Sequence, residues 1–500
     1  MALPRDRLCG VVAAPTAPEM IQLLRRGLLR TSTLELRLDW LANEAEVVRF
    51  LGWLGRQRLR ATLIATCRRR EAGGKYRGDV ASQVAVLRLA VACGCTAVDV
   101  EMESAERFTA DALRGLLPIP RIISYHNFRR TPAAAALRAI VRRLEQCGGD
   151  AVKVAAECRS LGDSVRVLQL ARRARRVVTV PMGETGLPAR ILALRHGSAL
   201  AYAAVGEASA PGQISLEAMQ EMYRTEGLNA RTRVYGVIGN PVAHSLSPLM
   251  HNAAFAARGV NAVYLPFRVA RLEDFLGAAG KLGVAGFSVT LPHKERILRR
   301  LDDCDPLAAD IGAVNTVVVR ARGKLYGYNT DYVGVLRALE RRMRLRGSRV
   351  LLYGAGGAAR AVAFALSRAG AIVCVCARRT QQAVALARAV GGEAVARRRL
   401  AREFFDAIVN CTPVGMHPRE SESPLAAREI NAGLVFDLIY RPQRTRLLHL
   451  AARRGIECVS GVEMFLAQGM AQWEIWMGQR APEKVMRAAV MEALREEVRK

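Results

Sequence analysis

The chain has 500 residues, 51% hydrophobic and 24% charged, with Lys and Arg exceeding Asp and Glu by 30. At roughly 100–200 residues per domain, that length accommodates about three domains, each able to bury a core. The balance excludes a disordered chain, a collagen-like repeat and a disulfide-stapled miniprotein, and no apolar run reaches the roughly 18 residues of a membrane-spanning helix.

Residues 1–225 alternate short apolar runs with amphipathic stretches. Eight runs stand out, at 8–14, 33–40, 61–67, 96–102, 121–127, 151–157, 176–183 and 200–206. The segments between them carry helical spacing, as at Val84, Leu87, Leu89 and Val91. Eight strand–helix units in so few residues predict a (β/α)8 barrel, with a doubly wound open sheet as the alternative. Two runs are unusual for strands of a parallel barrel, which are apolar on both faces. Leu34, Leu36 and Leu38 alternate with Glu35, Arg37 and Asp39, and Val98, Val100 and Met102 alternate with Asp99, Glu101 and Glu103. On a strand each polar set shares one face, and in a barrel that face can line the catalytic mouth.

A polar stretch at 222–232 reads as a linker. A second αβ pattern begins at 233. We read 233–336 as one lobe, 337–460 as a nucleotide-binding lobe, and 461–500 as helices that return to the earlier lobe. Gly354-Ala355-Gly356-Gly357-Ala358-Ala359-Arg360 follows an apolar strand and precedes a helix expected over Ala361–Ala369. This GxGxxA turn brings backbone close to a pyrophosphate at a helix N-terminus. The next strand ends in Ala377-Arg378-Arg379, where an NAD site usually carries an acid. Two Arg there suit a 2′-phosphate, so the expected cofactor is NADP(H).

The segment Val234 to Asn252 resembles the opening of shikimate dehydrogenases. So do Gly286-Phe-Ser-Val-Thr-Leu-Pro-His-Lys294, Gly312 to Thr316, Gly327 to Asp331, Asn410 to Met416, Phe436 to Tyr440 and Gly461 to Gln468. The resemblance spans 233–500 in order. Reducing a ketone needs a hydride on carbon and a proton on oxygen, and Lys294 with Asp331 is a proton-handling pair. The resemblance makes Lys294 the acid/base residue with Asp331 beside it. It makes Ser245 and Ser247 donors to the substrate carboxylate, and Thr290, Asn315 and Gln468 binders of its hydroxyls, with Tyr440 nearby. It adds Leu438 and Gly461 to the cofactor contacts. His244, His251 and His293 lie in these motifs without a catalytic assignment. The chain departs from the family at Ala377-Arg378-Arg379, usually Asn-Arg-Thr, and at Pro306, a place often acidic or polar.

The first half resembles type I 3-dehydroquinate dehydratases, through Glu35-Leu-Arg37, Ser124-Tyr-His126, Val152-Lys153-Val154, Gly186 to Arg190 and Ala208-Ser-Ala-Pro-Gly-Gln213. Eliminating water β to a ketone needs an acidified α-carbon, and a Lys iminium supplies the electron sink. Lys153 lies in an apolar run that would lower its pKa. His126 ends the neighbouring strand and suits proton transfer. Arg190 suits a carboxylate. The resemblance adds Glu35, Arg37, Arg68, Ser209 and Gln213 as substrate contacts. Family members commonly read Arg-x-x-x-Glu-Gly-Gly, the Glu supporting the catalytic His. This chain has Ala72 at that place and Glu71 one residue early. The slip leaves two readings, a loop that absorbs it or a weakened proton transfer.

Together the halves imply two successive steps, dehydration of 3-dehydroquinate and NADPH-dependent reduction of 3-dehydroshikimate to shikimate. The partners expected are small carboxylates, with no metal, nucleic acid or membrane. Two rivals are an impaired barrel beside a working shikimate or quinate dehydrogenase, and a nucleic-acid binder using the basic charge. Against the latter, the Arg residues are scattered and lack an aromatic platform. Only seven basic residues are Lys, which leaves 68 Arg. The eleven cysteines contain no CxxC, and no signal or transit segment is evident, so a reducing cytoplasm is expected.

Overall fold

The computed structural model describes residues 6–108, 119–172, 176–206, 212–243 and 245–499. The eight apolar runs of the first half form eight strands. These are β1 (Leu8–Val12), β2 (Thr33–Arg37), β3 (Thr62–Thr66), β4 (Ala97–Glu101), β5 (Arg121–Asn127), β6 (Ala151–Glu157), β7 (Val177–Met182) and β8 (Ala201–Ala204). They pair in parallel in the order β7-β6-β5-β4-β3-β2-β1-β8. The ring closes where Ala199 N–H donates to Val177 O at 2.8 Å and Thr179 N–H donates to Ser198 Oγ at 3.0 Å. Cys9, Val11, Ile64, Ala97, Ile122, Val178 and Tyr202 pack together in the core. On β2, β4 and β6, Glu35, Asp99 and Lys153 are buried.

The intervening helices start at local caps. Asp79 accepts from Ser82 N–H at 2.8 Å and opens the helix Val80–Ala92. That helix buries Val84, Leu87 and Ala90 but leaves Leu89 42% exposed. Leu87 and Leu89 are two residues apart, about 200° around a helix, and cannot share a face. The stretch at 222–232 is pinned at its end by hydrogen bonds. Asn229 N–H donates to Thr232 Oγ1 at 2.9 Å, and that hydroxyl, fully occluded from solvent, donates to Asn261 Oδ1 at 2.6 Å.

A second sheet contains β9 (Arg233–Gly239), β10 (Ala262–Arg268), β11 (Val284–Val289), β12 (Asp303–Cys304), β13 (Thr316–Val319) and β14 (Leu325–Tyr328). Its order is β10-β9-β11-β13-β14-β12, with β13 antiparallel to β11 and β14. A third, parallel sheet contains β15 (Arg349–Tyr353), β16 (Ile372–Cys376), β17 (Glu393–Ala394), β18 (Phe405–Asn410), β19 (Ala432–Asp437) and β20 (Glu457–Val459). Its order, β17-β16-β15-β18-β19-β20, reverses direction between β15 and β18. Such a reversal opens a crevice at the carboxyl ends of the strands.

By contact density the chain forms two compact units. One holds residues 1–234 with 261–284, the other 235–260 with 285–500. In the first, Asp274 accepts from the N–H groups of Leu161 and Gly162 at 2.7 and 3.1 Å, capping the helix Leu161–Leu168. In the second, Trp476 on the helix Gly461–Met477 donates from Nε1 to Val317 O at 3.2 Å, and Trp473 packs on Phe255. Among the described residues no helix is long and apolar enough to cross a membrane, and no cluster of His, Cys, Asp and Glu could hold a metal.

Candidate active sites

In the barrel, Lys153 on β6 is 4% exposed. Its Nζ donates to Asp99 Oδ2 at 3.0 Å and to Glu35 Oε1 at 3.2 Å, and lies 3.9 Å from the centroid of the Tyr202 ring. The apolar run does bury this amine, but its neighbours are two carboxylates, so the flanking Val and Ala residues do not define its environment. Asp99 also accepts from Ser124 Oγ at 2.6 Å and lies 3.7 Å from Arg68. Burial pushes the Asp99 carboxyl pKa up, but Lys153, then Arg68, and the donated hydrogen bonds bring it below the ordinary range. Glu35 further accepts from Thr66 Oγ1 at 2.9 Å, and Arg37 is clamped by Asp39 through bonds of 2.9 and 2.8 Å.

His126 stands on β5, two residues beyond Ser124, whose register partner is Lys153. Burial, then the charges of Arg68, Lys153 and Arg37, hold its imidazole well below the ordinary pKa, so the ring is neutral at physiological pH with a lone pair free to accept a proton. The Phe128 ring stacks on it at 5.9 Å. Arg190 is buried beside the end of β7, where its Nε donates to Pro181 O at 2.6 Å, and burial lowers its pKa to about 10. Gln213 follows Gly212, whose left-handed backbone touches Gly183 so closely that an added Cβ would lie 2.4 Å from the Gly183 oxygen. Ser209 falls outside the described residues.

The Glu slip is not absorbed. Glu71 is largely exposed and pairs with Arg69 at 2.7 Å, while Ala72 is buried in the turn Arg70–Ala72. The next residue, Gly73, packs against the Phe128 ring that covers His126.

In the second unit, Lys294 Nζ donates to Asp331 Oδ2 at 2.6 Å. Asp331 Oδ1 accepts from Asn315 Nδ2 at 2.8 Å. The Lys294 carbonyl accepts from Val314 N–H at 2.9 Å, and Thr290 N–H donates to Ile238 O at 2.9 Å, which ties the Lys294 loop to the ends of β9 and β13. Ser245 Oγ accepts from Ser247 N–H at 3.2 Å, at the start of the helix Ser247–Ala257. Gln468 donates to Phe465 O at 2.9 Å, and the Phe465 ring stacks on Tyr440 at 5.0 Å. Pro306 is the first residue of the helix Pro306–Ile311, and Asp305 supplies its cap. His244 lies outside the described residues.

At the crevice of the third sheet, Gly354 has φ +123° and Gly356 caps the helix Gly357–Arg368. The helix starts four residues before Ala361, because the glycine turn leads into it without a spacer. Nothing lies within 4 Å of a Cβ added at Gly356, so the turn leaves open space before the helix N-terminus. Gly357 and Ala358 form its exposed first turn, with Ala355 between the two glycines; Arg378 and Arg379 are exposed just after β16. Space for a pyrophosphate with cations at the adjacent strand end fits a 2′-phosphorylated dinucleotide. Leu438 N–H donates to Asn410 O at 3.2 Å, and Gly461 approaches Leu438 O so closely that a Cβ there would lie 2.3 Å away.

Comparison with known proteins covers nearly the whole chain. Residues 8–230 match the type I 3-dehydroquinase family, 237–317 the shikimate dehydrogenase substrate binding domain, and 461–491 the shikimate 5'-dehydrogenase C-terminal domain. A bifunctional 3-dehydroquinate dehydratase/shikimate dehydrogenase of Arabidopsis thaliana, described as chloroplastic, is 36% identical over 96% of this chain and 83% of its own length. The chain belongs to that bifunctional family. An NADP(+) shikimate dehydrogenase of Thermococcus kodakarensis is 44% identical over 54% of this chain and 99% of its own length. A crystal structure of a shikimate dehydrogenase in complex with NADP+ superposes with TM-score 0.51 at 38% identity, covering 53% of this chain and 97% of that one.

For a bifunctional dehydratase/dehydrogenase the barrel groups Lys153 and Glu35 directly, and Arg68 through Asp99; His126 stands on the adjoining strand. Asp99 escaped the sequence reading. It was visible only as one member of an alternating polar run, and that run named no partner. The dehydrogenase half groups Lys294, Asp331 and Asn315 directly, and Tyr440 with Gln468 through Phe465.

Proposed function

We propose that Lys153 forms an iminium with the ketone of 3-dehydroquinate and that Lys294 protonates the carbonyl oxygen during reduction of 3-dehydroshikimate. The observation that carries the first step is the contact of Lys153 with two carboxylates at 3.0 and 3.2 Å. Either can take the ammonium proton as the amine attacks and return it to the carbinolamine hydroxyl, so that the ketone oxygen leaves as water and the iminium forms. His126, kept neutral, takes the α-proton. The resulting enamine expels the β-hydroxyl, which His126 protonates so that it departs as water. Water then cleaves the iminium, releasing 3-dehydroshikimate and Lys153. Arg190 and Arg68 suit the substrate carboxylate and hydroxyls, with Glu35, Arg37, Ser209 and Gln213 as further contacts.

In the dehydrogenase half, NADPH when bound supplies the hydride. Gly354, Gly356 and the helix N-terminus would hold its pyrophosphate, and Arg378 and Arg379 its 2′-phosphate. Lys294 gives its proton to the developing alkoxide while Asp331 fixes the ammonium at 2.6 Å. Ser245, Ser247, Thr290, Asn315 and Gln468 contact the carboxylate and hydroxyls of the substrate. The functional bounds are 1–225, 233–336, 337–460 and 461–500. Eleven free cysteines support a reducing, cytoplasmic setting.

The test follows NADPH oxidation by purified protein offered 3-dehydroquinate or 3-dehydroshikimate. Both substrates should drive oxidation, and Lys153→Ala should abolish only the first. Oxidation with 3-dehydroshikimate alone would mean that the barrel is impaired. Borohydride reduction in the presence of 3-dehydroquinate should trap one adduct, on Lys153.

A further inference from the structure

We propose that Gln472 is a positioning residue for the Lys294–Asp331 pair, acting through Thr316 and Asn315. The proposal rests on the reading of that pair as the proton-transfer machinery. Gln472 lies on the helix Gly461–Met477, one turn beyond Gln468, and is 2% exposed. Its Oε1 accepts from Ser288 Oγ at 2.9 Å and from His251 Nε2 at 3.3 Å. These two donors orient the amide, so that Nε2 donates to Thr316 Oγ1 at 3.1 Å.

A hydroxyl has one proton. With a lone pair taken by Gln472, Thr316 can aim its proton at Asn315 Oδ1, at 2.8 Å, or at Thr330 Oγ1, at 3.2 Å, and the shorter bond to Asn315 is the one the series uses. The same oxygen accepts Thr330 N–H at 2.7 Å. The Asn315 amide therefore turns its Nδ2 toward Asp331 Oδ1, at 2.8 Å. Asp331 Oδ2 is left to Lys294, at 2.6 Å. Each bond in the series sets the direction of the next, from a buried helix face to the proton donor. Ser288, His251, Asn315, Thr316 and Thr330 are all buried, so a broken link is not replaced by bulk water.

Two kinds of substitution separate direction from packing. Gln472→Met fills the space without hydrogen bonds. Gln472→Glu keeps the shape and, in its ionised form, offers only acceptors, so the Thr316 proton swings away from Asn315 at a pH where that carboxyl is ionised. Thr316→Val deletes the middle link and Thr316→Ser keeps it. We expect Gln472→Met, Gln472→Glu and Thr316→Val each to lower kcat for 3-dehydroshikimate reduction on the order of tenfold, the equivalent of one buried hydrogen bond left unmade. KM should stay within about twofold, because Ser245, Ser247, Thr290 and Gln468 still hold the substrate and only the Asn315 contact is disturbed. Thr316→Ser should return kcat to the parental value, and Gln472→Met with Thr316→Val should lose no more than either alone. The thermal midpoint of the dehydrogenase activity in the same chains reports on folding of the unit that holds Gln472 and Thr316. Parental kcat in Thr316→Val, a loss confined to KM, or failure of Thr316→Ser to restore kcat would overturn the proposal. Should Gln472→Met not fold, the Thr316 pair decides alone. A parental enzyme that cannot reduce 3-dehydroshikimate would instead overturn the functional reading beneath it.

Discussion

Replacing Asp99 by Ala should unsettle the barrel more than any loss of volume explains. Asp99 meets Lys153 at 3.0 Å, Arg68 at 3.7 Å and the Ser124 hydroxyl at 2.6 Å, all buried. Breaking a buried charge pair by deleting one partner costs about 3–5 kcal/mol, because the remaining charge is left without compensation. Here two cations lose a counter-charge and only Glu35 stays beside Lys153. For a unit of this size each kcal/mol lowers the midpoint by about 2–4 °C, so the expected fall is roughly 10 °C. Calorimetric unfolding, with dehydrogenase inactivation followed in the same sample, gives the assay. The barrel transition should fall to lower temperature in the variant, while dehydrogenase inactivation keeps its parental profile. Asp99→Asn preserves shape and should still lose most of the stability, since charge is what it removes. Because the folded carboxyl pKa is depressed, its contribution is present above about pH 4 and fades as pH falls through the folded value. The gap between Asp99→Asn and parent should therefore narrow in acid. An Asp99→Ala barrel within 1 kcal/mol of the parent (roughly 3 °C) would refute the argument.

Three further outcomes follow from the same geometry. Ala72→Glu places a carboxylate in the turn beside the Phe128–His126 stack, and a nearby anion favours the imidazolium; the acidic limb of the dehydratase kcat profile should move to higher pH by about one unit, and an unmoved limb would show that the turn does not reach His126. Asp437, fully occluded, has its pKa raised to about 6 by burial, against hydrogen bonds from Thr445, Ile439 and Asn410. A raised carboxyl pKa means that stability declines as pH rises between about 4 and 6, so the advantage of Asp437→Asn over the parent should grow across that window by up to about 3 kcal/mol in urea titrations, and a constant difference would exclude the shift. Changing Arg378 and Arg379 together to Ala should raise KM for NADPH about tenfold or more and leave KM for NADH nearly unchanged; equal losses with both would place the 2′-phosphate elsewhere.

The barrel was legible because its strands are short, apolar and evenly spaced, and each of the eight runs carries one. Lys153 was legible as a lone Lys within such a run. Its surroundings were not, since the two carboxylates come from β2 and β4 and meet it only once the ring closes. Leu89 misled because apolar content was read without its angle around the helix. The polar 222–232 stretch reads as a linker, and the bond that pins its end, between Thr232 and Asn261, joins residues too far apart in sequence to be foreseen. Glu71 was visible as a slip, but whether it turned inward depended on Arg69, which holds it outside. Gln472 stands four residues after Gln468, so helical spacing placed both on one face; the hydroxyls it meets arrive from β11 and β13.

The scarcity of lysine has a practical side. Among the seven, Lys75, Lys281, Lys324 and Lys484 are exposed, Lys294 is partly covered, and Lys153 is enclosed by β2, β4, β6 and β8; Lys500 lies outside the described residues. A primary-amine reagent applied to the native protein thus meets a handful of well-separated surface targets. Its progress at Lys294 measures how open the dehydrogenase cleft is, and only a reagent shaped to enter the barrel arrives at Lys153. Peptide mapping after labelling becomes a two-channel gauge of cleft occupancy, read from one digest without any turnover.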